Sequence, residues 1–424
     1  MVEVLPFQAL TYNLGIVPDI SSVISPPYDV ISDEMREDLY ARNSFNVVRL
    51  EYSRETNIGG DKYEEAARDL QSWIAQGILE SASDASFFLL TQSYVDAYGA
   101  RRRRKVLIAR VRLAEFSDGS VLPHEHTIPK AKKDRLDLLT QCETNFSPIM
   151  AVYRDSDRAI SSILESQRVS GSVFASGTIP NEGEFTLAKI GDPEDLVGIT
   201  TAFRGISVLI ADGHHRYETA LEYSQISRSP GAQYVMMGLI SIDDPGLDIY
   251  GYHRVIKGID ESSKGRLIAR LHEEFEEYKN VRLSQDAKLC SQEMEALLAA
   301  ADSTKWDVAL LQESGDTLLL SVRGMTETHG EGARLPIRLV EGCLADVLGD
   351  NHQTLAKAVD YDHDVVSTVT RVTSGDCAIG LIMGSLGVDV FEKVVTSEGR
   401  LPRKSTYFYP KLPAGVVMYP LWND

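Results

Sequence analysis

Ile206-Ser-Val-Leu-Ile-Ala-Asp-Gly-His-His-Arg-Tyr-Glu-Thr-Ala220 sets three kinds of local structure end to end. Val208 to Ala211 is a continuous apolar run with the length of a short buried strand. Asp212-Gly213-His214-His215 reads as a turn. A helical pattern follows, in which Tyr217, Ala220 and Leu221 recur at i, i+3 and i+4 and leave one face free to pack. The first turn of a helix has N–H groups without intrahelical partners and carries about half a positive charge. A strand, a glycine turn and a helix start bearing His214, His215 and Arg216 therefore suit an anion such as phosphate. The same pattern also fits a plain strand-to-helix connection whose His and Arg are only solvated.

Upstream, Val121-Leu-Pro-His-Glu-His-Thr-Ile-Pro-Lys130 places His124, Glu125 and His126 in a row. In an extended backbone the two histidines share one face and Glu125 points the other way. A helix is expected from about Ala131 to Cys142, then Asn145-Phe-Ser-Pro148 and a strand from Ile149 to Tyr153. Residues 155–205 separate that strand from the one at Val208 and read as an insertion containing a strand near Phe185 to Ile190.

Further toward the N-terminus, Pro26-Pro27 fixes an extended backbone that presents Tyr28 and Asp29, either as a pocket wall or as a stiff connector. Ser32 suits the cap of a helix through about Ala41, and Asn46 to Tyr52 reads as a strand. Asp61 to Gln76 carries Tyr63, Ala66, Ala67, Leu70, Trp73 and Ile74 on one helical face. Phe87 to Val95 and Lys105 to Phe116 read as a hairpin. The run Arg101-Arg-Arg-Arg-Lys105 is placed at its edge, solvated, where charge discourages sheet-to-sheet pairing. Beyond 260 the pattern is two helices, a strand hairpin turning at Ser314-Gly315-Asp316, and then short alternating elements. The tail, Leu401 to Met418, is rich in aromatics and lysines; it suits either a nucleotide pocket lined by stacking and charge or a core strand.

The chain has 424 residues, 43% of them apolar and 25% charged, enough for two or three cores. Its 43 Lys and Arg against 62 Asp and Glu give a net charge of −19, which disfavours nucleic acid and anionic membrane surfaces. The N-terminus lacks a secretory pattern, and no apolar run reaches the ~18 residues of a membrane span. Cys142, Cys290, Cys343 and Cys377 are far apart, which excludes a ribbon-type zinc site and suits reduced thiols in the cytoplasm.

Pro26-Pro-Tyr-Asp-Val-Ile31, His124-Glu-His-Thr127, Lys133-Asp-Arg-Leu136, Asn145-Phe-Ser-Pro148, Ala211 to Ala220, His253-Arg254 and Lys404-Ser-Thr-Tyr-Phe-Tyr-Pro-Lys411 resemble, in order, the bacterial and archaeal domain of unknown function 1015 family. The family name supplies no activity. His124-Glu125 followed by Asp212-Gly-His-His-Arg216 resembles in addition the ParB/sulfiredoxin superfamily core, with the free-serine kinases nearest. That resemblance implies a mixed α+β fold: an N-terminal α/β region over 1–118, a nucleotide-binding core over 119–260 with an insertion at about 155–205, and a C-terminal α/β region over 261–424. Sulfiredoxins carry a reactive Cys where His214 stands, and the helix-turn-helix of ParB proteins is missing.

The resemblance implies a nucleotide-dependent phosphotransferase acting on a small hydroxylated metabolite such as an amino acid, with Mg²⁺ and ATP or ADP. Glu125 is then the base, with His124 and Asp212 as further catalytic residues and Asp212 as the metal or substrate ligand. Gly213, His214, His215 and Arg216 form the phosphate cradle, joined by Lys404 and Lys411. Tyr28, Asp29, Asn145, His253 and Arg254 are expected to line the pocket. Two alternatives stand beside it: a metal-dependent hydrolase using His124, His126, His214 and His215, and a non-catalytic nucleotide-binding switch. No nucleic-acid or membrane partner is expected.

Overall fold

A computed structural model of the protein describes residues 2–54, 61–97, 99–127, 129–180, 182–300, 305–323, 334–349, 352–397 and 399–422. The fold is α+β, and the chain forms two compact units, one of residues 1–95, 101–247 and 410–424, the other of 96–100 and 248–409. Among the described residues no helix is long and apolar enough to cross a membrane. The four cysteines are buried free thiols.

The first unit is built on a nine-stranded mixed sheet. Its strands in chain order are β1 (Val4–Leu5), β2 (Phe87–Val95), β3 (Arg101–Arg112), β4 (Val121–Pro123), β5 (Ile149–Tyr153), β6 (Val173–Ile179), β7 (Gly183–Ile190), β8 (Val208–Asp212) and β9 (Tyr234–Ser241). They lie in the order β4-β8-β5-β9-β3-β2-β7-β6, with β1 paired to β3. β8 runs parallel to β4 and antiparallel to β5, and β9 runs parallel to β5 and antiparallel to β3. The sequence-based boundary near 118 is not a boundary in the structure, because β3, which lies before it, hydrogen-bonds along β9, which lies after it. The insertion at 155–205 likewise supplies β6 and β7 to the same sheet.

Five helices matter to the site: α1 (Asp33–Arg42), α2 (Val48–Glu51), α3 (Lys62–Ala75), α4 (Pro129–Cys142) and α5 (His214–Ile226). Ser32 caps α1 by accepting from Met35 N, and Asp61 caps α3 by accepting from Tyr63 N. α3 buries Ala66, Leu70 and Trp73 as its periodicity requires. The strand expected over Asn46 to Tyr52 is instead the short helix α2. Asn46 Oδ1 accepts from Val48 N at 3.0 Å while its amide donates to the carbonyls of Ser22 and Ile24. A side chain that bonds its own backbone two residues on folds the chain into a turn and overrides the β-branched run.

The basic run also departs from expectation. Arg101 to Lys105 lies within β3, an interior strand between β2 and β9, rather than at an edge. Arg104 is fully buried, opposite Gln92 in the ladder, and donates to Gln92 Oε1 at 2.6 Å and to the Pro410 carbonyl. The arginine thus ties the returning C-terminal segment to the sheet.

The second unit holds a six-stranded sheet of β10 (His253–Ile256), β11 (Phe275–Arg282), β12 (Val308–Gln312), β13 (Asp316–Val322), β14 (Val359–Asp362) and β15 (Ile379–Met383), in the order β11-β13-β12-β15-β10-β14. The hairpin between β12 and β13 turns at Gly315, whose φ of 82° suits glycine. The first helix beyond 260 is Glu261–Glu274, and it ends where β11 begins at Phe275. The aromatic tail is divided. Tyr407–Tyr409 pairs with Asp248–Tyr250, and buried Phe408 meets Phe391 edge-on at 5.1 Å, so this part packs as core.

Arg104→Met removes the donor that serves both Gln92 Oε1 and the Pro410 carbonyl from the middle of the sheet. Leaving both acceptors buried is expected to cost about 3 kcal/mol in denaturant unfolding. A loss under about 0.5 kcal/mol would show that the buried arginine is not holding the C-terminal segment.

Candidate functional site

β8 delivers Asp212 to its C-terminal end, and Gly213 turns the chain into α5 with φ 92°. A side chain at 213 would be strained by that angle and would also meet the Arg216 guanidinium at 2.9 Å. Arg216 folds back over the glycine so that its Nη2 donates to Asp212 Oδ2 at 2.9 Å. Lys411 Nζ, from the C-terminal segment, reaches Asp212 Oδ1 at 2.6 Å. Burial alone would raise the Asp212 carboxyl, but the Lys411 and Arg216 charges outweigh it and hold the group well below the usual carboxylate range. Asp212 is thus a carboxylate clamped between two cations.

His214 opens α5 and is buried. Its Nε2 accepts from the His124 backbone N–H at 3.2 Å, which joins the two His-bearing motifs directly. The rings of His124 and His214 meet edge-on at 4.6 Å. His124 Nδ1 lies 2.6 Å from the Ile210 carbonyl, the geometry of an Nδ1–H donor, so Nε2 is left as the acceptor nitrogen. Burial lowers the His124 pKa, partly opposed by Glu125, and favours this neutral ring. Glu125 Oε1 stands 4.0 Å from that Nε2 with its side chain 23% exposed. His126 does not share His124's environment: His124 is buried and His126 exposed, because the segment after β4 leaves the sheet. The loop is fastened further by Glu218 of α5, which accepts from Thr127 Oγ1 at 2.7 Å and from Lys132 at 3.0 Å.

A second set of groups lies behind Arg216. Its Nη1 donates to Ser147 Oγ at 3.0 Å and to the Pro148 carbonyl at 2.9 Å. Ser147 in turn donates to Glu51 Oε1 at 2.6 Å. Glu51 is 3% exposed; burial raises its carboxyl, against the charges of Arg216 and Arg135. Arg135 of α4 donates to the Glu51 carbonyl at 2.8 Å and covers the Tyr28 ring at 4.0 Å. Burial, with Asp29 adding to it, pushes the Tyr28 phenol up to about 12. Asp29 acts on both Glu51 and Arg216 electrostatically. Asn145 accepts from Met236 N at 2.8 Å and lies beside Glu51, Arg135 and Arg216 in one cavity.

A model of the family described as "Protein of unknown function (DUF1015)" matches residues 4–334. The chain belongs to the DUF1015 family. No curated protein gives a match. Solved structures similar to this DUF1015 chain include a free serine kinase mutant in complex with AMP, at 12% identity and TM-score 0.37, covering 72% of this chain and 87% of that one. A conserved hypothetical protein from Pyrococcus furiosus matches at 13% identity and TM-score 0.36, over 72% and 93% of the two chains. SbnI with a C-terminal truncation, from Staphylococcus aureus, matches at 12% identity and TM-score 0.37, over 71% and 82%.

Three expected site residues of this DUF1015 protein belong to its second unit. Lys404 Nζ lies over the Tyr252 ring at 4.7 Å. His253 is buried and accepts from Met383 N at 3.2 Å, and burial lowers its pKa to about 4. Arg254 is fully buried, paired with Glu341 at 2.7 Å. These contacts account for His253 and Arg254 as packing of β10. Among the described residues no group of three His, Cys, Asp or Glu side chains converges to hold a metal ion, His124, His126, His214 and His215 included. Both oxygens of Asp212 are bonded to cations, which does not suit it as an Mg²⁺ ligand.

Several members of the cluster escaped the sequence reading. Glu51 sits inside an apolar run and Ser147 inside a turn, and neither has a spacing that marks it. Glu182 comes from the turn between β6 and β7, accepts from the Lys411 backbone N–H and feels Arg104 and Lys411. Burial nonetheless raises its carboxyl to about 7. A raised carboxyl contributes stability that is present below its ordinary value of 4.5 and is lost as pH rises through about 7. Glu182→Gln is therefore expected to flatten the fall in unfolding free energy between about pH 5 and about pH 8 relative to the wild type. An unchanged pH slope would place Glu182 in contact with water.

Proposed function

We propose that the protein is a nucleotide-dependent phosphotransferase, using ATP or ADP, that acts on a small hydroxylated metabolite such as an amino acid. The observation that carries this reading is the His124 N–H to His214 Nε2 bond, which brings Glu125 to the helix start where an anion is best received. A phosphate seated there would meet the first-turn N–H groups of α5, which Gly213 has no side chain to cap. His215 and the helix dipole add to the attraction.

Arg216 and Lys411 take a different part from the one expected of direct phosphate ligands. Each is paired with Asp212, so they fix the strand, the turn and the C-terminal segment around the phosphate position. Mg²⁺ would arrive on the nucleotide phosphates, whose charge it neutralises, rather than in a cage of protein carboxylates. Phosphoryl transfer asks the protein mainly for positioning and charge neutralisation. As the acceptor oxygen bonds to phosphorus and the bond to the leaving phosphate oxygen breaks, Glu125 takes the hydroxyl proton. The neutral His124 ring, held by Ile210, packs beside Glu125, with Nε2 4.0 Å from Glu125 Oε1, so its part is to shape the space around the carboxylate rather than to bond it.

Purified protein incubated with Mg²⁺, ATP or ADP and a panel of hydroxylated metabolites should transfer phosphate, followed by phosphorus NMR. Glu125→Gln should lower kcat about 100-fold or more with nucleotide binding retained. Turnover by Glu125→Gln at the wild-type rate would remove Glu125 from the base role.

A further inference from the structure

The cavity behind Arg216 has two polar atoms that the fold leaves unanswered. Glu51 is 97% buried by its 3% exposure and lines this cavity; Oε1 is used by Ser147, while Oε2 is buried with no hydrogen-bond partner among the described residues. Arg216 spends both terminal nitrogens on Ser147, Pro148 and Asp212, and its Nε–H is likewise buried without a partner among the described residues. The remaining walls are largely apolar, among them Leu139, Phe146 and Val235. Burying a carboxyl oxygen and a guanidinium N–H without partners is costly, so the two atoms together point to a polar ligand that answers both.

The two unanswered atoms specify complementary chemistry. A carboxylate oxygen only accepts, and an Arg Nε–H only donates. A cationic N–H donor makes a charge-assisted bond to a carboxylate, roughly twice as strong as a neutral one. We propose that this cavity is the amine subsite of the phosphoryl acceptor: it takes a small molecule bearing an ammonium group on Glu51 Oε2 and a neighbouring oxygen on Arg216 Nε, as in an amino alcohol or amino acid. Calling the ligand the acceptor rests on the phosphotransferase reading; its binding here does not. Glu51 is then a specificity residue contributed by the N-terminal part of the chain. The subsite communicates with the turn before α5 through Arg216, which touches both.

Ethanolamine and ethylene glycol differ only in the amine and test this directly. Saturation-transfer NMR on the full-length protein should show ethanolamine bound about tenfold more tightly than ethylene glycol. Glu51→Gln should abolish that preference while leaving the nucleotide-induced rise in melting temperature unchanged. Equal binding of the two probes, or binding of neither because the cavity holds only water, overturns the subsite even if Glu51→Gln fails to fold. Ethanolamine binding without phosphate transfer to any metabolite would overturn the phosphotransferase reading and leave the amine subsite standing.

Discussion

Asp212 is held by Lys411 on one oxygen and Arg216 on the other, and the first unit is arranged so that this can happen. A carboxylate placed at a strand end under so much protein loses hydration that only close cations restore. Two distant parts of the chain meet in the result: the consecutive β8 and start of α5, and the segment that returns at 410. Removing one partner of such a buried pair typically costs about 3–5 kcal/mol, because the charge left behind has no answer. The cluster therefore fixes the turn before α5 more firmly than glycine geometry alone could.

From Arg216 the network runs outward without a break. Ser147 and Pro148 take one nitrogen, Ser147 passes to Glu51, and Arg135 links Glu51 to Tyr28. The Pro26-Pro-Tyr-Asp segment is joined to this network through the Tyr28 ring, which lies under Arg135. On the other side His214 docks the His124-Glu125 loop, and Glu218 fastens its far end. One helix start thus organises two neighbouring environments: the His124-Glu125 loop on one side, and on the other a cavity with a mostly apolar surface in which two buried polar atoms have no hydrogen-bond partner among the described residues.

Much of the framework was legible from residue pattern. The strand–turn–helix around Asp212, the amphipathic α3 and the hairpin of β2 and β3 follow from periodicity and capping, which are local. What failed was decided by contacts far away in sequence. Val47-Val48 reads as a strand until Asn46 is seen bonding back to its own turn, and Arg104 reads as solvent-facing until Pro410 comes to meet it. In the site, Asp212 and Glu125 stand out because their motifs are compact. Glu51 and Glu182 carry perturbed carboxyls but stand alone in sequence, and only folding brings them to Arg216 and Lys411. His253 and Arg254 show the reverse case, since their motif resolves into the packing of a buried strand.

The central claim is that the His124-Glu125 loop and the start of α5 are one site that a nucleotide closes over. Hydrogen–deuterium exchange with and without ADP and Mg²⁺ measures this most directly. The account predicts that backbone amides of 121–127 and 211–219 gain protection together on ADP binding, while the sheet interior changes little. Protection confined to other parts of the chain, or of one stretch without the other, would contradict it.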